Sequence, residues 1–182
     1  TGAQGSDQNL NSHEIIGQLW LANFFKKDEQ PITNIVFMGM GEPLLNFDAV
    51  IESTKIMKHQ LAYGLSRKRV TISTSGIVPN IKKLTEFVDV SLAISLHAPN
   101  DSLRDEIVPI NKKYPIKVLI DSCKDFLNYY ENKRHITIEY ILIKDVNDSA
   151  EHAKSLTKLL SQISCKINLI PFNSFDGSDY ER

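Results

Sequence analysis

Short apolar runs alternate with helix-patterned segments along nearly the whole chain, and this alternation restricts the fold more than any other feature of the sequence. Residues 34–38, 70–73, 90–96, 136–143 and 167–170 read as strands, the last closed by Pro171. The run 90–96 is small and apolar enough to be buried on both faces. Between the strands lie helical patterns. Residues 12–25 form one, with Asn11 or Ser12 able to cap it and Glu14 at capping-box spacing from Asn11. Phe47, Val50, Ile51, Thr54, Met57 and Leu61 keep the spacing of one helical face. A short helix over 80–87 is introduced by Pro79. Ile116, Leu119, Ile120, Cys123, Leu127 and Tyr130 form a stripe after Pro115. Residues 150–160 put Ala153, Leu156, Leu159 and Leu160 on one side. Strands separated by helices argue for parallel βα units, as a doubly wound sheet or a barrel. Two details favour the barrel. No Gly-x-Gly-x-x-Gly opens the first strand-to-helix turn, and polar residues (Glu42, Ser73, Ser95, His97, Asn173) recur where strands end.

At 182 residues the chain is expected to form one domain over 1–182. A net charge of -1 gives no bulk signal for nucleic acid, although a neutral protein can carry a basic patch. The run Ser66-Arg67-Lys68-Arg69 is the most basic, followed by Lys112-Lys113 and Lys82-Lys83. Each reads as a solvated edge, with RNA phosphate contact as the alternative. No apolar stretch approaches the roughly 18 residues that span a bilayer, and no apolar leader opens the chain. Cys123 and Cys165 form no disulfide framework or metal-ligand spacing, which fits a reducing, cytoplasmic setting. The polar opening and loop-like close over 177–182 lead to the expectation of a segment cut from a longer protein.

Gly39-Met40-Gly41-Glu42-Pro43 directly follows the first strand. Glycine lets backbone approach a ligand, Pro43 stiffens the exit, and Glu42 is left as an acceptor for an ammonium or a ribose hydroxyl. The alternative is a surface turn with a solvated carboxylate. Ser95-Leu96-His97-Ala98-Pro99 follows the third strand. His97 is either a hydrogen-bonded histidine against the next loop, or part of a pocket lined by Ser95 and the backbone around His97. Strand alternation puts Thr137, Glu139 and Ile141 on one face, with Glu139 either a site residue or part of a buried salt bridge. Cys123 and Cys165 read as structural, and His13, His59, His135 and His152 as exposed.

The segment from Gly39 through Asn46 resembles the Gly-Glu-Pro motif of radical S-adenosylmethionine (SAM) enzymes. Ser73-Thr74-Ser75-Gly76, then residues 95–101, 104–114 and 168–173, follow in order. Together these five motifs resemble the bacterial radical SAM dual-specificity RNA methyltransferases, which methylate C2 of an adenosine in 23S rRNA and in tRNA. The resemblance covers essentially the whole chain. It implies an α/β fold, a partial (β/α)6 TIM-like barrel of the radical SAM type lacking its first strand. It implies that Glu42 holds the SAM amino group, that Gly41 gives backbone access, and that Ser73, Ser95, Leu96, His97 and Asn173 complete the pocket.

The resemblance also implies a [4Fe-4S] cluster on a Cys-x-x-x-Cys-x-x-Cys loop just before Thr1–Gly5, an electron donor for it, and an RNA-binding domain. A methyl-carrying cysteine and a resolving cysteine are implied beyond both ends, and neither Cys123 nor Cys165 matches them. In the whole enzyme, one SAM methylates the carrier cysteine and a second yields a 5′-deoxyadenosyl radical. That radical activates the carried methyl group for addition to C2. No catalytic or metal-ligating residue is therefore expected within these residues, and the chain by itself is expected to be inert. Two alternatives remain: the related enzyme that methylates C8 of the same adenosine, and a barrel that binds a cofactor without methyl transfer.

Overall fold

Asn11 and Glu14 close the first helix reciprocally. The Asn11 side-chain oxygen accepts the Glu14 N–H at 3.0 Å, and the Glu14 carboxylate accepts the Asn11 N–H at 2.9 Å. This capping box satisfies two amides that a helix start otherwise leaves unpaired. The computed structural model describes residues 8–25, 31–38, 41–174 and 180–181. The expectations placed on Thr1–Gly5, on Gly39 and Met40, and on most of 177–182 lie outside the described residues.

The chain divides into two compact units, Thr1–Thr74 with Lys83–Leu92, and Ser75–Lys82 with Ala93–Arg182. The first holds α1 (Ser12–Phe25), β1 (Ile35–Phe37), α2 (Phe47–Lys58) and β2 (Val70–Thr74). Pro43–Asn46 forms a single 3-10 turn ahead of α2. β1 and β2 are parallel, from Ile35 opposite Val70 to Phe37 opposite Ile72. Leu44, Val50, Met57, Val70 and Ile72 are buried and form the centre of this unit. α2 ends earlier than its apolar spacing predicts. His59 leaves the helix with extended backbone, its carbonyl accepts the Ala62 and Gly64 amides, and Leu61 is 92% exposed. α3 (Val78–Phe87) and β3 (Ser91–Ser95) carry the chain on.

The second unit adds α4 (Asp101–Ile107), α5 (Ile116–Tyr129), β4 (Ile136–Leu142), α6 (Ala150–Leu160) and β5 (Cys165–Pro171). β3 pairs with β4 in parallel, with Ser95 opposite Glu139, and β4 pairs with β5 from Ile136 opposite Cys165 to Leu142 opposite Pro171. The stripe on α5 is buried as its spacing predicts, at Ile116, Leu119, Ile120, Cys123 and Leu127. On α6 the apolar side is narrower: Leu156 and Leu160 are buried and Ala153 is exposed.

The strands lie in the order β1-β2-β3-β4-β5. A doubly wound sheet reverses its order at a switch point, whereas a barrel adds each strand beside the last. The unbroken order therefore bears out the α/β reading as a partial TIM-like barrel. α4 is absent from the sequence expectation. No helix among the described residues is long and apolar enough to cross a membrane.

Candidate cofactor site

In the first unit the acidic turn begins where β1 stops. Gly41 has φ 103, and a Cβ built there would meet nothing within 4 Å, so conformation rather than crowding requires glycine. Glu42 follows in extended conformation, and its carboxylate accepts the Leu44 N–H at 3.0 Å, capping the Pro43–Asn46 turn. Pro43 opens that turn, where a missing N–H costs nothing. The cap fixes the rotamer of Glu42, so the half-buried carboxylate is an oriented acceptor, suited to an ammonium or a hydroxyl. Gly41, Glu42 and Asn46 share a cavity of about 650 Å³ with apolar Leu19, Phe37 and Val50. That volume falls within the roughly 300–1,000 Å³ of small-molecule sites. Ser73 is buried in β2 and does not line this cavity.

In the second unit the chain leaves β3 through a strained turn. His97 has φ 60, and the Ala98 N–H donates to the Leu96 carbonyl at 2.8 Å, which makes a γ-turn centred on the histidine. A side chain at such a φ costs on the order of 1–3 kcal/mol and persists only where neighbours over-determine it. The neighbours here are specific. The Leu96 and His97 amides both donate to the Glu139 carbonyl, at 3.0 and 3.4 Å. Arg104 donates from Nε to the Leu96 carbonyl at 3.0 Å and from a terminal nitrogen to the Ser95 carbonyl at 3.1 Å. Asn147 donates from Nδ2 to the His97 carbonyl at 2.8 Å. The Ser95 hydroxyl donates to the Glu139 carboxylate at 3.3 Å. With its proton so directed, Ser95 offers oxygen lone pairs outward.

The imidazole of His97 is part of the sheet. Its Nδ1 accepts the Ile141 N–H at 3.1 Å, taking the place of a backbone acceptor where the β3–β4 ladder has ended. That bond makes Nδ1 the unprotonated nitrogen. Burial, then the nearby Arg104 guanidinium, push the His97 pKa down to about 4, so the ring is neutral at physiological pH. It serves as a fixed acceptor and is no general acid. The hydrogen-bonded reading of His97 has its counterpart in the ring bonded to the next strand. Glu139 is buried beside Ser95. Asn173 is exposed beyond β5, next to Phe172, whose N–H donates to the Leu142 carbonyl at 3.0 Å.

Arg104 and Asn147 went unnoticed as candidates in the sequence. Arg104 is fully buried, and its remaining bonds reach the Ser75 carbonyl at 2.6 Å and Asn111 Oδ1 at 3.0 Å. The Asn147 amide also donates to the Ile141 carbonyl at 2.7 Å and accepts the Ile143 N–H at 2.8 Å. Neither carries a sequence signal, because a charged or amide side chain in a polar segment reads as solvated. Cys123 is buried, and desolvation pushes its thiol up to about 12, which fits a structural cysteine. Arg67, Lys68 and Arg69 are exposed, as are Lys82, Lys83, Lys112 and Lys113.

Comparison with known proteins places this geometry in context. The radical SAM superfamily signature matches residues 21–156. The whole chain aligns at 57% identity with a protein from Pseudomonas putida named "Dual-specificity RNA methyltransferase RlmN", covering 49% of it. A protein of the same name from Pseudomonas entomophila matches at the same identity and coverage. The chain thus spans about half the length of the curated relatives it matches. Among solved structures, one described as a radical SAM methyltransferase from Sphaerobacter thermophilus superposes on the whole chain with a TM-score of 0.94 and 40% identity, covering 53% of that chain.

Proposed function

The chain belongs to the radical SAM superfamily, and from that premise we propose that it is the SAM-binding core of an RNA methyltransferase acting on C2 of an adenosine in 23S rRNA and in tRNA. The observation that carries this reading is 57% identity, sustained over the whole chain, to relatives named for dual-specificity RNA methylation.

The geometry supports it. An ammonium acceptor is needed, and Glu42 is one whose rotamer is fixed by its own cap. A nucleoside-sized space is needed, and Gly41 and Glu42 border a cavity of about 650 Å³. A hydroxyl that accepts from ligand donors is needed, and Ser95 has its proton turned to Glu139. In this reading Gly41, Glu42, Ser73, Ser95, Leu96, His97 and Asn173 hold SAM. When bound in the whole protein, SAM and a [4Fe-4S] cluster would supply the one-electron chemistry that activates an inert methyl group. The residues of this chain bind and orient, while the cluster ligands and the methyl-carrying cysteine belong to other parts of the protein. Cys123 is unsuited to carrying a methyl group, being buried and protonated. The partners are 23S rRNA, tRNA and an electron donor, in the cytoplasm.

The test is nucleoside mass spectrometry of 23S rRNA and tRNA from a bacterial strain that lacks 2-methyladenosine, after expression of the full-length gene product. The expected result is 2-methyladenosine in both RNAs. 8-Methyladenosine in its place assigns the protein to the related C8 enzymes, and unmodified adenosine overturns the reading.

A further inference from the structure

The turn Ser95–His97 is held by more than the sheet it leaves. Each backbone polar group from the Ser95 carbonyl to the His97 carbonyl has a partner. Two of these partners are buried side chains that belong to neither neighbouring strand. Arg104 lies on α4, and Asn147 lies in the loop after β4. Both are about as completely buried as a residue can be, at 0% and 1% exposure.

An arginine is costly to bury unless its donors are satisfied. Here the guanidinium spreads over four oxygens, three of them backbone carbonyls from Ser75, Ser95 and Leu96. Its planar fork therefore ties the exit of β3 to the segment that follows β2, in a way one ammonium cannot copy. Asn147 works from the other side. Its oxygen terminates the loop at Ile143, and its amide grips the His97 carbonyl. Without such restraints a histidine at φ 60 would relax toward ordinary backbone, and the Ser95 hydroxyl and Leu96 amide would move with it.

We propose that Arg104 and Asn147 are positioning residues for SAM: they hold the Ser95–His97 turn in its strained, binding-competent shape without touching the cofactor. This inference rests on the cofactor role proposed above for Ser95, Leu96 and His97. It adds that affinity depends on preorganisation supplied from outside the pocket.

The test uses the full-length gene product with three substitutions. Asn147→Asp keeps the acceptor for Ile143 and removes the donor to the His97 and Ile141 carbonyls. Arg104→Lys keeps the charge and removes the fork. Glu42→Ala removes a pocket group and leaves the turn alone. SAM affinity is read by calorimetry, and the Leu96 and His97 amides are followed by hydrogen exchange. Asn147→Asp and Arg104→Lys are expected to weaken SAM about tenfold each, the loss typical of a hydrogen bond involving a charged or buried group. Both should speed exchange at Leu96 and His97. Glu42→Ala should weaken SAM with exchange at those amides unchanged. In turnover, the two positioning variants should raise the KM for SAM more than they lower kcat.

If Arg104→Lys does not fold, Asn147→Asp decides alone. Loss of affinity in Glu42→Ala, together with wild-type affinity in Asn147→Asp, overturns the positioning role by itself. Wild-type affinity in all three variants overturns the cofactor reading and this inference with it.

Discussion

β4 and β5 are the same length and hydrogen-bonded to each other over seven residues, yet they live in different environments. In β4, Ile136, Ile138 and Tyr140 are buried, and so is Glu139 on the opposite face. In β5, Ile167 is 44% exposed and Leu169 is 55% exposed. A complete ladder on one side therefore says nothing about cover on the faces. Backbone pairing sets where a strand lies, and side-chain burial sets what it contributes. β4 has neighbours on both sides and can carry a carboxylate against Ser95, because the surrounding packing holds it there. β5 is the last strand in that order among the described residues, and its sequence is less apolar, with Lys166 and Asn168 within it.

Substitutions in and around the two strands are expected to differ widely in effect. The largest effect is expected at Ile138, which is fully buried in β4. Ile138→Ala should destabilise the protein by about 3 kcal/mol through lost contacts and a residual cavity, as read from urea denaturation. Next is the pH dependence tied to His97, which bonds β4 at Ile141. Its folded pKa is depressed to about 4, below the ordinary value of 6.5, so the folded state binds this proton less readily than the unfolded state does. The corresponding stability is fully present above pH 6.5 and is lost as pH falls toward 4. Relative to His97→Gln, the wild type should lose on the order of 2 kcal/mol between pH 7 and pH 4. A ring titrating near 6.5 by NMR would remove this effect. Smaller again is Ser149, just before the helix that links the two strands, whose side chain caps α6 by accepting the His152 N–H at 3.2 Å. Ser149→Ala should cost about 1 kcal/mol in the same denaturation experiment. The smallest change belongs to β5, where Leu169→Thr should fall within about 0.5 kcal/mol of wild type. A loss there as large as that of Ile138→Ala would mean that β5 is covered in solution.

What the sequence made legible was local. The capping box of α1 is two side chains three residues apart, and it forms as its spacing predicts. The bounds of α6 agree with the apolar spacing over 150–160, and the structure adds the Ser149 cap at its start. Gly41 was legible as a turn residue because a positive φ favours glycine. Leu61 misled because its spacing continues the α2 pattern, while the helix is ended by a turn around His59 and Gly64. α4 was invisible because seven mostly polar residues cannot show two turns of apolar periodicity; its start rests on the Asn100 cap and its end on the Val108 N–H bonded to the Arg104 carbonyl. Arg104 was the deepest miss. Its burial is set by carbonyls at Ser75, Ser95 and Leu96, which sequence distance separates and only the fold assembles. A charged residue otherwise reads as surface. Asn147 hides in the same way, in a loop whose polar composition looks solvated.

The most direct measurement is a thermodynamic cycle on the acidic turn. Wild-type and Glu42→Ala full-length gene products are titrated by calorimetry with SAM and with an analogue lacking the α-amino group. If Glu42 receives that ammonium, the wild type prefers SAM by about tenfold or more, as expected of a charge-assisted hydrogen bond, and the variant shows no preference. An equal preference for SAM in both proteins would contradict the account.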